Sequence, residues 1–109
     1  MINKHFILKA NSIERLLSLG FKKVTFVDDD CKYYKYRFPV HKHNGRMTLE
    51  CELTVNYKSR EVIINIYDEH REIYVPYYNR EYGNYTEFIE KINKEILTEF
   101  KKLEIEEVE

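Results

Sequence analysis

Residues 47–57 read MTLECELTVNY, with Met47, Leu49, Cys51, Leu53, Val55 and Tyr57 alternating with polar side chains. Successive side chains of a strand point to opposite faces, so alternation over this length predicts a half-buried strand. The preceding segment, 31–43, ends at Asn44-Gly45, a pair that favours the two-residue type I′ hairpin turn because both positions need positive φ. That turn sets His43 opposite Arg46 and fixes the register. Tyr34 then faces Val55, Tyr36 faces Leu53, Phe38 faces Cys51 and Val40 faces Leu49, all on one side. On the other side Arg37 meets Glu52 and Lys35 meets Thr54. A slip of one residue would reverse every one of these side chains, so the apolar and charged pairings test the same register from both faces.

The same reasoning extends in both directions. Residues 21–27 predict a first strand, ended by a turn at Asp28, Asp29 and Asp30, where short carboxylates hydrogen-bond their own backbone. Lys58-Ser59 turns the chain into a fourth strand, 60–68, with Val62, Ile64 and Ile66 inward. A turn near His70-Arg71 predicts a fifth strand, with Ile66 opposite Val75 and Ile64 opposite Tyr77. Pro76 lacks an N–H, which places that strand at the sheet edge.

Helical spacing appears twice. Ile13, Leu16 and Leu17 predict a short helix over 12–19, with Asn11 and Glu14 as capping box and Gly20 as left-handed stop. Phe88, Ile89, Ile92, Ile96, Phe100 and Leu103 form the apolar stripe of a long second helix, capped by Asn84. Residues 103–109 are mostly acidic, and acid at a helix C-terminus opposes its dipole, so this tail is expected to fray. The expected architecture is one α+β domain over 1–109: a helix, a five-stranded antiparallel meander and a long C-terminal helix, with the helices mainly on one face.

Composition narrows the function. The 109 residues carry a net charge of −1, with neither sign in excess, so no global field points to nucleic acid or membrane. No apolar run approaches the roughly 18 residues of a membrane span, and the N-terminus lacks the pattern of a signal peptide. A cytoplasmic location is expected. Ten tyrosines and six phenylalanines against three glycines and two prolines mark a bias toward AT-rich codons. That bias suggests a low-GC bacterium, its phage or a mobile element.

The register has one consequence for function. It places Ile63, Tyr67, Tyr74, Pro76 and Tyr78 together on the outward face of the fourth and fifth strands. A patch of this kind, on the order of several hundred Å², is seldom left exposed without use. It predicts a protein-binding face, serving self-association or partner binding of the immunity or inhibitor type, unless the first helix or the 79–85 loop folds over it. The alternative is a nucleic-acid-binding module. Residues 32–46 interleave tyrosines with cations, and Lys35, His41, Lys42, His43 and Arg46 are the candidate phosphate contacts.

Catalytic and metal chemistry find little support in the sequence. Cys31 and Cys51 form no C-x-x-C pair, and Cys51 sits on the apolar side of its strand. His41, His43, His70 and Cys31 match no zinc spacing, and no phosphate-cradling glycine loop or nucleophile elbow occurs. The expectation is a non-enzyme without cofactor, metal or small-molecule ligand.

Overall fold

A computed structural model describes residues 5–24, 33–78 and 86–108. The acidic turn at Asp28, Asp29 and Asp30, Cys31 and the expected helix cap Asn84 lie outside the described residues. The chain is α+β, with a four-stranded antiparallel meander, a smaller two-stranded sheet and a long C-terminal helix.

The alternating stretch forms β4 (Arg46–Asn56). It lies between β3 (Tyr33–His43) and β5 (Val62–Asp68), and β2 (Lys22–Lys23) adds to the far side of β3. Asn44 and Gly45 take φ of 52° and 77°, the left-handed values a type I′ turn requires. The predicted β3–β4 register holds from Tyr33–Asn56 to Pro39–Glu50 and again at Lys42–Met47 and His43–Arg46. Between these, His41 rather than Val40 faces Leu49. Val40 on β3 and Thr48 on β4 are the extra residues of two compensating bulges, beside Pro39, which has no N–H for the ladder. Val40 stays buried all the same. The β4–β5 register is as predicted from Leu49–Asp68 to Val55–Val62. The intervening turn is wider than two residues. The Asn56 side-chain oxygen accepts from the Lys58 and Ser59 N–H groups, and Arg60 takes a φ of 68°.

The first helix, α1 (Ile13–Leu19), is capped by Ser12 rather than Asn11. The Ser12 hydroxyl accepts from the Arg15 N–H, and Gly20 closes the helix in the left-handed region as expected. The last helix, α3 (Thr86–Lys102), seats Ile92, Ile96 and Phe100 in the core with Tyr34, Phe38, Leu49, Cys51, Leu53, Val55 and Ile66 from the sheet. Two tyrosine hydroxyls tie α3 to the rest. Tyr36 donates to Glu99 at 2.9 Å, and buried Tyr77 donates to Asn93 at 2.7 Å. Burial, then the bond to Glu99, pushes the Tyr36 phenol up to about 12.

Two parts of the expected architecture need correction. Residues 105–108 do not fray: they form β6 (Ile105–Val108), antiparallel to β1 (His5–Leu8), with Leu8 opposite Ile105 and His5 opposite Val108. Glu104 turns the chain at a φ of 58°, its carbonyl accepts from the Lys9 N–H, and its carboxylate pairs with Arg15. The acids of the tail point outward while Leu103 and Ile105 enter the core beside Phe6, Leu8 and Phe100. The apolar anchors outweigh the unfavourable helix-end charge, which salt and solvent screen.

The second correction concerns the fifth strand. Among the described residues a single bridge, Tyr67–Ile73, pairs with β5 there. The chain then enters a short helical turn, α2 (Val75–Tyr78). Proline is well tolerated in the first turn of a helix, where its missing N–H has no partner to lose, so Pro76 fits the helical turn better than a ladder.

Candidate functional site

The bridge Tyr67–Ile73 is one residue out of the predicted register, and in a sheet that reverses the faces. Tyr67 stays outward, opposite Glu50 of β4. Tyr74 goes to the inner side, where its ring meets Phe88 of α3 edge-on at 6.4 Å and packs against the core. The expected patch is therefore divided. Ile63 remains outward and is 52% exposed. Pro76 is half-buried in α2. Tyr78 is half-buried, and its hydroxyl oxygen accepts from the Ile66 N–H at 2.8 Å. The Tyr74 N–H donates to the Ile66 carbonyl at 2.9 Å. Tyr74 and Tyr78 thus satisfy both backbone groups of Ile66 on the open edge of β5, where a fifth strand was expected. Burial raises the Tyr78 phenol, against the opposing effect of the Ile66 N–H.

This arrangement makes a prediction. Tyr78→Phe keeps the ring but leaves the Ile66 N–H without its acceptor. The expected loss is about 1–2 kcal/mol of stability, toward the lower part of the range for an unsatisfied buried donor. Hydrogen exchange at Ile66 should quicken more than at Leu53. Unchanged protection at Ile66 would show that the hydroxyl does not close this edge.

The outward face holds a charged cluster built around Glu52. Its side chain is 3% exposed although it points away from the main core. Arg37 Nε lies 2.8 Å from Glu52 Oε2, as the cross-strand register predicts, and Lys35 Nζ lies 3.2 Å from Oε1. Arg71 reaches the same carboxylate at 3.3 Å and Glu50 at 2.5 Å. A tight turn aims Arg71. The Asp68 carboxylate accepts from the N–H groups of His70 and Glu72, Arg71 takes a φ of 62°, and its guanidinium sits 4.5 Å from the Tyr67 ring centroid. Burial alone would raise the Glu52 carboxyl; the hydrogen bonds and charges of Lys35 and Arg37 outweigh it and hold the group below its ordinary value. The acids lie beneath and the cations protrude: Arg37 is 54% and Arg71 46% exposed, against 18% for Glu50.

The cations expected to meet phosphate are dispersed. Lys35 is paired with Glu52, and Arg46 with Glu69 at 3.4 Å. His41 Nδ1 lies 2.6 Å from the Thr48 hydroxyl, and its ring meets Phe88 edge-on at 4.8 Å. His43 is exposed beside the turn. Lys42 shares a cavity of about 480 Å³ with Lys91, Lys94 and Glu95 of α3. Cys51 is a free, fully buried thiol pushed well above its usual range by burial. Among the described residues, no three His, Cys, Asp or Glu side chains gather in a way that could hold a metal ion.

Sequence reasoning found the Arg37–Glu52 pair but missed Arg71, which reaches the cluster only through a turn whose backbone geometry alternation does not encode.

No family model matches the chain, and comparison with curated proteins finds no match. Among solved structures the chain is similar to the crystal structure of a DUF1831 family protein from Lactobacillus plantarum. The two superpose with a TM-score of 0.56 at 12% identity, over 98% of this chain and 90% of the other. At that identity the likeness extends to the fold alone. No helix among the described residues is long and apolar enough to cross a membrane.

Proposed function

We propose that the chain is a small, non-catalytic, cytoplasmic binding module that recognises a protein partner through the outward face of β3, β4 and β5. The observation that carries this reading is the layering of charge around Glu52. Guanidinium groups held from below by carboxylates are ordered before a partner arrives, which lowers the entropy lost on binding. Arginine and tyrosine are the residue types most often dominant at interfaces, and Ile63 adds exposed apolar surface beside them. A two-fold contact between copies would bring this cationic face against itself, so a foreign partner with acidic side chains fits better than a homodimer. Immunity proteins and inhibitors of a phage or mobile element bind partners in this way, and the chain is of their size and type.

The test is capture from the native host with the wild-type chain and with an Ile63→Ser/Arg37→Ala variant, after equal thermal melting has been verified. Loss of two central contacts should weaken capture by about thirtyfold or more. Equal capture by both proteins, or none by the wild type, would remove the proposal. The second reading, nucleic-acid binding at the hairpin, draws on the cavity that Lys42 shares with Lys91 and Lys94. It requires a salt-dependent gel shift that Lys42→Ala weakens.

A further inference from the structure

The β2 edge of the sheet carries a cationic cavity that adjoins the proposed partner face and shares Lys35 and Arg37 with it. β2 pairs with β3 so that Lys22 lies directly opposite Lys35, and Lys23 opposite Tyr34. Like charges directly opposite on a sheet repel and destabilise the pairing. Lys35 is engaged by Glu52, whereas Lys22 and Lys23 are exposed and make no ion pair among the described residues. Edge strands often carry a lysine to discourage pairing with other chains, but that purpose does not require a second lysine across from it.

The same residues line a cavity of about 460 Å³ at the β2–β3 edge, formed by Gly20, Lys22, Lys23, Val24, Lys35, Tyr36 and Arg37. Among the described lining residues four of the seven are cations and none is an acid. The volume falls within the usual range for small-ligand sites, about 300–1,000 Å³. The cavity's shape is set from below. Gly20 takes a φ of 106°, and a Cβ there would stand 3.0 Å from the Tyr36 ring. Tyr36 is in turn fixed by its bond to Glu99, and its ring packs on Phe21 at 5.3 Å. Lys35 and Arg37 are fixed by Glu52, which leaves the N–H groups that do not face Glu52 available to a ligand.

We infer that this cavity is a binding site for a small ligand bearing two or more phosphate groups, with Lys22 as its free cation and Lys35 and Arg37, on the same face of the sheet, as its ordered wall. Two adjacent phosphates would place anionic oxygens between Lys22 and Lys35 and offset the part of their mutual repulsion that Glu52 leaves. Asp28, Asp29 and Asp30 lie outside the described residues and are not assigned to the site.

Inorganic pyrophosphate, with inorganic phosphate beside it, is the probe, and calorimetric titration of the full chain at low salt is the readout. Pyrophosphate should bind one per chain and more tightly than phosphate. Lys22→Ala should weaken it by about tenfold or more, the loss of one charge-assisted hydrogen bond. Lys23→Ala, on the other face of β2, and Lys101→Ala, on α3, should leave it unchanged. Absence of pyrophosphate binding, or binding indifferent to Lys22→Ala, overturns the inference. So does binding of a single-stranded oligonucleotide that pyrophosphate does not displace, because the lysines would then serve a polymer's backbone. Lys35 and Arg37 are common to the cavity and the proposed partner face, whereas Lys22 belongs to the cavity alone. Lys22→Ala should therefore weaken pyrophosphate binding and keep protein capture, which makes the two failures separate results.

Discussion

Ile96→Ala is expected to destabilise the fold by about 2–5 kcal/mol, the range for truncating a fully buried isoleucine and leaving a cavity. Ile96 is 0% exposed at the centre of the stripe that α3 lays on the sheet. Its neighbour Leu97 is 42% exposed, so Leu97→Ala should change stability by no more than about 0.5 kcal/mol. Two adjacent aliphatic residues thus become opposite controls for the rotation of α3. Domains of this size unfold with about 5–15 kcal/mol, so the first change would consume a large share of the total. Urea midpoints with unchanged slope would measure both. Equal losses from the two variants would mean that α3 meets the sheet through a different face. The outward side of the sheet would then have to be redrawn as well, because α3 defines which side is inner.

That rotation was legible because it depends only on local spacing. Phe88 through Phe100 repeat every three or four residues, and no other face of the helix is apolar enough to compete. The same holds for the β3–β4 hairpin, where Asn44-Gly45 dictates the turn and the charge pair Arg37–Glu52 follows from it. Failures occur where backbone geometry or distant chain decides. Val75 to Tyr78 could be read as a strand because two residues inward and two outward fit alternation, yet Pro76 suits a helical first turn equally well, and four residues are too few to choose. The one-residue shift at Tyr67–Ile73 came from the turn that Asp68 and Arg71 build, which is wider than a two-residue hairpin. The β1–β6 pair joins opposite ends of the chain, and no local period announces such a partner. A trace was present, since Leu103 and Ile105 keep a strand's spacing within the acidic tail. Of the five residues expected to make one outward patch, Ile63 and Tyr67 keep the outward face, both on β5, whose predicted register against β4 held although the turn before it is also wider than two residues.

Glu52→Ala is expected to lower stability by about 2–4 kcal/mol. Removing one partner of a buried ion pair costs about 3–5 kcal/mol when the other charge is stranded, and here Lys35, Arg37 and Arg71 are exposed enough to recover part of that in water. Glu52→Gln should lose less, because it keeps the shape and one acceptor. The pH dependence identifies the charge itself. The folded-state pKa of Glu52 lies below its unfolded value of about 4.3. Between those two values the unfolded chain binds the proton more readily, so stability rises with pH. The contribution of Glu52 is complete above the unfolded value and disappears as pH falls through the folded one. The gap in unfolding free energy between wild type and Glu52→Gln should therefore be widest near neutrality and narrow in acid. Glu104, also lowered by its hydrogen bond to Arg15, is common to both proteins and cancels in the difference. A gap independent of pH would mean that Glu52 acts by packing rather than as a carboxylate. The guanidinium groups would then owe their positions to the Tyr67 ring and Glu50, and partner capture by Glu52→Gln at neutral pH should match the wild type. If the carboxylate does order them, capture should weaken in that variant while the fold persists.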